Sequence, residues 1–312
     1  MFALATDYHG ESRNTKKLRQ TLAAVAEAGF SHVHWCHEWR GSYLYSTWEM
    51  RQFKEWLEEL GLKAKGVHAS SGEIRSYYAA IPEYEGSREN LKDYVSFNEY
   101  NRRAGVELIK NRVDLAGELG TGEIVLHLHL PFRIFEADRG FKEKFWTAVF
   151  KSFDELRPCC LERRVKICVE NLPDFPEHHQ IEMFDRLFER YGPDFMGLCF
   201  DTGHGNITSE NCLEFARRYI DRLFIVHIHD NHGAVSPSYL DSVPLIIESD
   251  EHRIPFEGTF DWEGFAEVLA ASPYELPYLM EINMRDTDEA VFFRKVLEAG
   301  RRFHALMNRH RK

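Results

Sequence analysis

The sequence predicts an α/β protein, a single (β/α)8 barrel domain that spans residues 1–312. Eight short apolar runs alternate with eight segments of helical period, which is typical of parallel strands joined by helices. A length of 312 residues is ordinary for one such barrel. The alternative, a doubly wound open sheet, usually carries a glycine-rich phosphate loop near the N-terminus, and the sequence shows none.

The predicted strands are apolar runs that end in polar residues. They cover residues 2–6, 31–36, 63–68, 123–129, 165–170, 196–201, 223–229 and 278–282. The predicted helices cover residues 15–28, 47–60, 98–119, 141–157, 180–191, 212–221, 262–271 and 289–308. Gly29, Gly61, Gly120 and Gly192 stand near the ends of four of these helices, where a C-cap glycine is expected.

Composition excludes several classes of protein. The formal net charge is −11, which repels phosphate polymers and argues against a nucleic acid partner. The six cysteines form no CxxC pair, which is typical of a reduced, cytoplasmic chain. We expect no signal peptide and no membrane contact, because no apolar run approaches the ~18 residues that a span needs. The sequence is compatible with a homo-oligomer.

Metal-competent side chains stand at the ends of six predicted strands. The carboxyl ends of barrel strands converge on one cavity, where unpaired carboxylates would repel each other. A cation removes this repulsion, and two glutamates, an aspartate and a histidine suit Mn²⁺, Zn²⁺, Mg²⁺ or Co²⁺. The residues at these strand ends are His68, His127, His129, Glu170, Asp201, His204, His227, His229 and Glu281.

The sequence leaves several directions open. His127 and His129 share one face of a strand, as do His227 and His229, so either member of each pair could point inward. Asp250 and His252 form an Asp-x-His pair that can chelate a metal, bind a substrate hydroxyl or lie in a solvated turn.

Two long connections, residues 70–97 and 231–256, follow strand ends on the face where barrels build their sites. Aromatic and apolar residues in them could close over a small ligand or form ordinary surface cover. They are Tyr77, Tyr78, Tyr84, Tyr239 and the run 243–247.

The motifs together resemble the xylose isomerase-like TIM barrel superfamily, over nearly the whole chain. They are VEN (169–171), DTGH (201–204), H-x-x-D-N (227–231), D-x-H…EG (250–258) and the glutamate of the last strand. That superfamily contains sugar and sugar-phosphate isomerases and epimerases as well as the family 2 AP endonucleases.

The resemblance implies a set of site residues by position. Glu170, Asp201, His227 and Glu281 match the single-metal tetrad of the isomerases and epimerases, with Glu170 and Glu281 as the catalytic residues. Additional metal or substrate ligands correspond to those that hold three zinc ions in the endonucleases: His68, His127, His204, Asp250 and His252. For substrate binding we expect His129. Trp35 and His37, together with Trp39, form either a sugar-stacking wall or part of the core and rim packing.

The sequence departs from both branches. The endonucleases follow the third-strand histidine with a tyrosine and an asparagine, whereas here His68 is followed by Ala69 and Ser70. Ketose 3-epimerases carry an arginine six residues after the metal histidine, and Gly233 stands there in this chain.

The sequence therefore predicts a divalent-metal-dependent isomerase or epimerase of carbohydrate metabolism, acting on a small sugar-like substrate through an enediolate. Three alternatives remain. They are an AP endonuclease-type phosphodiesterase with a trinuclear zinc site, a lyase for oxidised sugars, and a non-catalytic carbohydrate-binding protein.

Overall fold

The computed structural model describes residues 1–10, 13–72, 92–209 and 211–310. The predicted tyrosines Tyr77, Tyr78 and Tyr84 lie outside these ranges. Among the described residues, no helix has both the length and the apolar character needed to cross a bilayer.

Eight parallel strands form the centre of the fold, which confirms the predicted barrel. They are β1 (Phe2–Ala5), β2 (His32–Trp35), β3 (Lys63–His68), β4 (Glu123–Leu126), β5 (Lys166–Glu170), β6 (Met196–Asp201), β7 (Leu223–His227) and β8 (Tyr278–Met280). Their order in the sheet is β7-β6-β5-β4-β3-β2-β1-β8. A parallel bridge between Ile228 and Met280 joins the two edge strands and closes the barrel.

Helices surround the strands. They are α1 (Thr15–Glu27), α2 (Thr47–Glu59), α3 (Glu99–Leu119), α4 (Phe132–Ala137), α5 (Arg139–Arg163), α6 (Glu177–Arg190), α7 (Thr202–Thr208), α8 (Cys212–Arg218), α9 (Val243–Ser249), α10 (Trp262–Ala271) and α11 (Glu289–His310). The eight predicted helices are all present. The short helices α4, α7 and α9 were not predicted, because six or seven residues are too few to show a helical period.

Three predicted strands end two or three residues earlier than expected, after Leu126, His227 and Met280. Beyond these points, backbone carbonyls accept hydrogen bonds from side chains instead of from a neighbouring strand. Tyr94 Oη donates to the carbonyl of His127 at 2.7 Å, and Thr202 Oγ1 donates to the carbonyl of His229 at 2.6 Å. The residues beyond these strand ends are therefore released to line the mouth of the barrel.

Two apolar layers position that mouth. The large layer lies between the strands and the helices and includes Phe53, Phe153, Phe184 and Phe265, all fully buried. A small layer fills the barrel interior from alternating inward positions: Ala3, Val125, Cys168, Cys199, Ile225 and Leu279. This inner layer excludes water from beneath the strand ends and forms the floor of the site.

Candidate metal centre

Four acidic and imidazole side chains meet above the inner layer. Nδ1 of His227 lies 2.7 Å from Glu281 Oε2, 3.3 Å from Glu170 Oε1 and 3.7 Å from Asp201 Oδ2. Glu170, Asp201 and His227 are the last residues of β5, β6 and β7, and Glu281 follows β8 directly. The structure thus brings the predicted tetrad together around one nitrogen atom.

The electrostatics of this tetrad favour a bound cation. Burial opposes charge on His227, but Cys199, Glu281 and Glu170 outweigh it and hold the pKa of the imidazole well above its ordinary value. Burial also opposes charge on Glu170, yet His227 and His127 hold the pKa of that carboxyl well below its usual range. The pKa of the Glu281 carboxyl is also held below its usual range, by His227, so both glutamates are charged at neutral pH and attract positive charge to the centre.

The donor atoms fit a divalent metal ion. His227 is fully buried, and neither of its ring nitrogens forms a hydrogen bond within the part of the chain that the structure describes. A buried nitrogen facing three carboxylates offers one imidazole and several oxygen ligands, the donor set of Mn²⁺, Zn²⁺ and related ions.

A second group of donors adjoins the tetrad at Glu170. Nε2 of His127 lies 3.1 Å from Glu170 Oε2, and Nε2 of His68 lies 3.8 Å from the same oxygen. The rings of His68 and His127 are 4.8 Å apart. These three side chains are close enough to share a metal ion.

A third group lies on the other side, where His204, His229, Asp250 and His252 meet. Nδ1 of His204 donates to the carbonyl of Asn171 at 2.9 Å, and Nδ1 of His252 donates to the carbonyl of Glu281 at 3.0 Å. Because a carbonyl only accepts, Nδ1 carries a proton in each ring, and Nε2 is the nitrogen that can bind a metal ion when the imidazole is neutral. Both Nε2 atoms face Asp250 Oδ2, at 3.4 and 3.1 Å, as metal ligands oriented by outer hydrogen bonds would.

Both histidines of each predicted pair point inward. His127 and His129 line the same cavity, while His227 belongs to the tetrad and His229 Nε2 lies 2.9 Å from Asp201 Oδ1. The cavity above these groups measures about 730 Å³. This is within the range of small-molecule sites.

The expectation for Trp35 and His37 needs correction. Trp35 faces the helix layer, with its ring 4.9 Å from that of Phe53, and Nδ1 of His37 lies 2.9 Å from the hydroxyl of Tyr45. Neither residue lines the cavity, because Trp35 at the end of β2 and His37 in the loop after it both pack against Phe53 of the helix layer. The wall is formed instead by Trp39, whose ring lies 4.6 Å from that of His68.

The connection 231–256 also reaches the site. Ile246 and Ile247 of α9 line the cavity. Tyr239, in the turn before α9, is buried but is not one of the lining residues. This part of the predicted cover therefore contributes to the wall.

Two polar residues that the sequence reasoning did not single out hold the ligands in place. Asn171 exchanges two hydrogen bonds with Asp201, from Nδ2 to the carbonyl at 2.9 Å and from the amide of Asp201 to Oδ1 at 2.7 Å. Thr202 accepts the amide of His229 at 3.0 Å. Each of them directly follows a proposed ligand, in the motifs VEN and DTGH. That position in the sequence could have indicated their supporting role.

A third such residue, Asp230, joins β7 to the segment that carries Asp250 and His252. Its buried carboxyl accepts hydrogen bonds from the backbone of Phe256 and from the indole of Trp262, each at 2.9 Å. Its backbone pairs with that of Arg253. This bracing fixes the third donor group relative to the strands.

The fold and these donor groups define a class of protein, a (β/α)8 barrel with a candidate metal centre at the carboxyl ends of its strands. The family described as xylose isomerase-like TIM barrel matches residues 22–302. The chain belongs to this family, as its motifs predicted.

Similar proteins span most of the chain. The uncharacterized protein y4fM of Sinorhizobium fredii is 34% identical over 268 residues, covering 86% of this chain and 81% of that protein. An inosose dehydratase of Clostridium botulinum is 23% identical over 224 residues, covering 69% of this chain and 68% of its own length.

The solved structures extend the similarity to the whole fold. D-psicose 3-epimerase from Clostridium cellulolyticum H10, solved with D-tagatose, superposes with a TM-score of 0.69 at 16% identity, covering 98% of this chain and 99% of that one. A D-tagatose 3-epimerase-like protein gives a TM-score of 0.67 at 19% identity, covering 99% and 98%. At these identities the similarity shows the shared fold.

Proposed function

We propose that this protein is a divalent-metal-dependent isomerase or epimerase that moves a proton next to the carbonyl of a small, sugar-like substrate. One observation carries the proposal. Three carboxylates surround a single buried imidazole nitrogen at the floor of a cavity of about 730 Å³. In this arrangement Glu170, Asp201, His227 and Glu281 would hold Mn²⁺, Zn²⁺, Mg²⁺ or Co²⁺.

The bound ion would act as a Lewis acid that stabilises negative charge on a substrate oxygen. Glu170 and Glu281 both line the cavity and come from strands on different sides of the centre. Either carboxylate has an oxygen with which to remove the proton beside the carbonyl, and the other, or the same one, returns it. Asp201 and His227 are buried outside the cavity lining and would chiefly hold the ion.

The similar proteins support chemistry of this kind. The inosose dehydratase of Clostridium botulinum and the D-psicose 3-epimerase of Clostridium cellulolyticum H10 are both named for carbohydrate-like substrates. Epimerisation and dehydration beside a carbonyl share a first step, the removal of an adjacent proton. A lyase acting on an oxidised sugar is therefore a variant of the same proposal.

Solvent hydrogen exchange tests this shared step. In deuterium oxide, the protein loaded with Mn²⁺ is expected to place deuterium next to the carbonyl of at least one free ketose or inosose, as measured by proton NMR. Removal of metal with a chelator should abolish the exchange, and added Mn²⁺ should restore it. Ligand binding without exchange would favour the non-catalytic carbohydrate-binding alternative.

A second candidate function rests on the two additional donor groups. With the tetrad, His68, His127, His204, Asp250 and His252 complete the set that the family 2 AP endonucleases use for three zinc ions. The net charge of −11 opposes a polyanionic substrate. We therefore retain the isomerase as the leading proposal.

Metal content separates the two candidates. For the isomerase we expect about one tightly bound ion per chain after dialysis, measured by inductively coupled plasma mass spectrometry. Among the described residues, the tetrad is the group that gathers three carboxylates around a single imidazole nitrogen. A content near three zinc ions per chain, together with cleavage of an abasic-site duplex, would favour the phosphodiesterase instead.

A further inference from the structure

Asp174, on the loop between β5 and α6, lines the cavity, and one of its carboxyl oxygens has no hydrogen-bond partner among the described residues. Oδ2 of Asp174 lies 3.0 Å from Nδ1 of His129, and both side chains line the cavity. The other oxygen, Oδ1, is buried and forms no hydrogen bond to any residue of the described ranges. Since an unpaired buried acceptor is costly, a ligand that donates a hydrogen bond to it gains affinity.

The carboxyl group of Asp174 lies beside the proposed metal centre without belonging to it. The ring of His129 lies 5.2 Å from that of His127, which in turn contacts Glu170 at 3.1 Å. A substrate chelated at the tetrad would therefore meet Asp174 with a more distant part of its skeleton. The cavity, at about 730 Å³, has room for that part.

The surroundings of Asp174 favour a specific contact. Leu172, Pro173 and Ile246 are apolar neighbours in the same cavity wall. Burial raises the pKa of Asp174 to about 6, which reflects this apolar environment. Hydrogen bonds are stronger where water is excluded, so the presence or absence of one hydroxyl on the ligand matters more here than at the surface.

The charges around the cavity indicate what kind of ligand fits. Among the described residues, its lining contains five acidic side chains: Asp7, Glu170, Asp174, Asp250 and Glu281. Arg40 is the single lysine or arginine of that lining; it is exposed and lies over the ring of Trp39 at 4.1 Å. A phosphate or carboxylate on the substrate would face net negative charge, whereas a hydroxyl finds acceptors.

From these observations we propose that Asp174, held by His129, forms a binding subsite for a hydroxyl group of an uncharged, polyhydroxylated carbonyl compound. The proposal rests on the proposed function and makes Asp174 a residue that determines specificity. The hydroxyl it binds is separate from the atoms that chelate the metal.

The test compares Asp174→Ala and Asp174→Asn with the wild-type protein, all loaded with Mn²⁺. The probes are free ketohexoses, scyllo-inosose, their deoxy analogues and D-fructose 6-phosphate. Ligand binding is followed by tryptophan fluorescence, because Trp39 lies in the cavity wall, and reaction is followed by deuterium exchange.

For the best free substrate we expect Asp174→Ala to raise KM and the dissociation constant about tenfold or more, with a much smaller change in kcat. Asp174→Asn should fall between the two proteins. One deoxy analogue should bind wild type and Asp174→Ala equally, since it lacks the hydroxyl in question. Metal content should stay unchanged, and Asp241→Ala, at an exposed aspartate paired with Arg133, serves as the charge control.

The outcomes separate this inference from the proposed function. Exchange by wild type with the same KM in Asp174→Ala rejects the subsite and keeps the function. Binding that depends on Asp174, without exchange of any probe, keeps the subsite and rejects the function. Preference for D-fructose 6-phosphate over the free ketose, or failure of every free compound to bind, overturns the inference.

Discussion

Replacement of Glu281 or Glu170 by glutamine is expected to lower the rate of solvent hydrogen exchange by about 10²- to 10⁴-fold. Glutamine preserves the shape of the side chain but cannot accept the proton that the proposed reaction removes. Glu281 Oε2 lies 2.7 Å from His227 Nδ1, and its side chain is 14% exposed, so it faces both the centre and the cavity. The measurement is deuterium incorporation by NMR at saturating substrate.

The same two residues are proposed metal ligands, so metal content must be measured in each variant. Glu257→Gln is a suitable control, because Glu257 is an exposed glutamate of the nearby segment and lies outside the cavity lining. Turnover near the wild-type rate in both variants, with metal still bound, would show that proton transfer does not depend on these two glutamates.

Replacement of Asp230 by alanine is expected to lower the free energy of unfolding by about 3 kcal/mol or more, since each buried donor left unpaired costs roughly 1–3 kcal/mol. Besides Phe256 and Trp262, the amides of Asn231 and Phe260 donate to this carboxyl, at 2.9 and 3.2 Å. Asp230 is fully buried, so water has little access to replace the carboxyl. Urea unfolding followed by circular dichroism gives the difference.

The matched control is Asp261→Ala in the same segment. Asp261 caps α10 by accepting the amide of Gly264 at 3.0 Å, and loss of such a cap typically costs about 1 kcal/mol. If the two variants lost similar, small amounts of stability, the bracing role of Asp230 would be wrong.

The sequence motifs that contain the proposed metal ligands also contain residues that support or pack against those ligands. Gly258, in the EG motif, illustrates this, since a Cβ there would lie 2.1 Å from the carbonyl oxygen of Asn231 and 2.3 Å from Asp230 Oδ1. Gly203 in DTGH is similar, because a Cβ would lie 2.0 Å from the ring of His229. Close packing around the centre therefore explains why these motifs contain glycine as well as metal-binding residues.

The amino-acid sequence alone determined the barrel and the strand ends that carry metal-competent side chains. Both follow from local patterns, because apolar runs of β-strand length and segments of helical period do not depend on distant residues. The choice of the tetrad among the residues at these strand ends came from the family resemblance, and three of its members are the last residues of their strands.

The tertiary structure decided what happens after each strand ends. There the alternation of inward and outward side chains no longer applies, and the direction of a residue depends on partners far along the chain. This is why both His127 and His129 face the cavity, why Trp39 rather than Trp35 lines its wall, and why Asp174 meets His129 across 45 residues of sequence. Such contacts form only when the barrel closes and brings separate loops to one mouth.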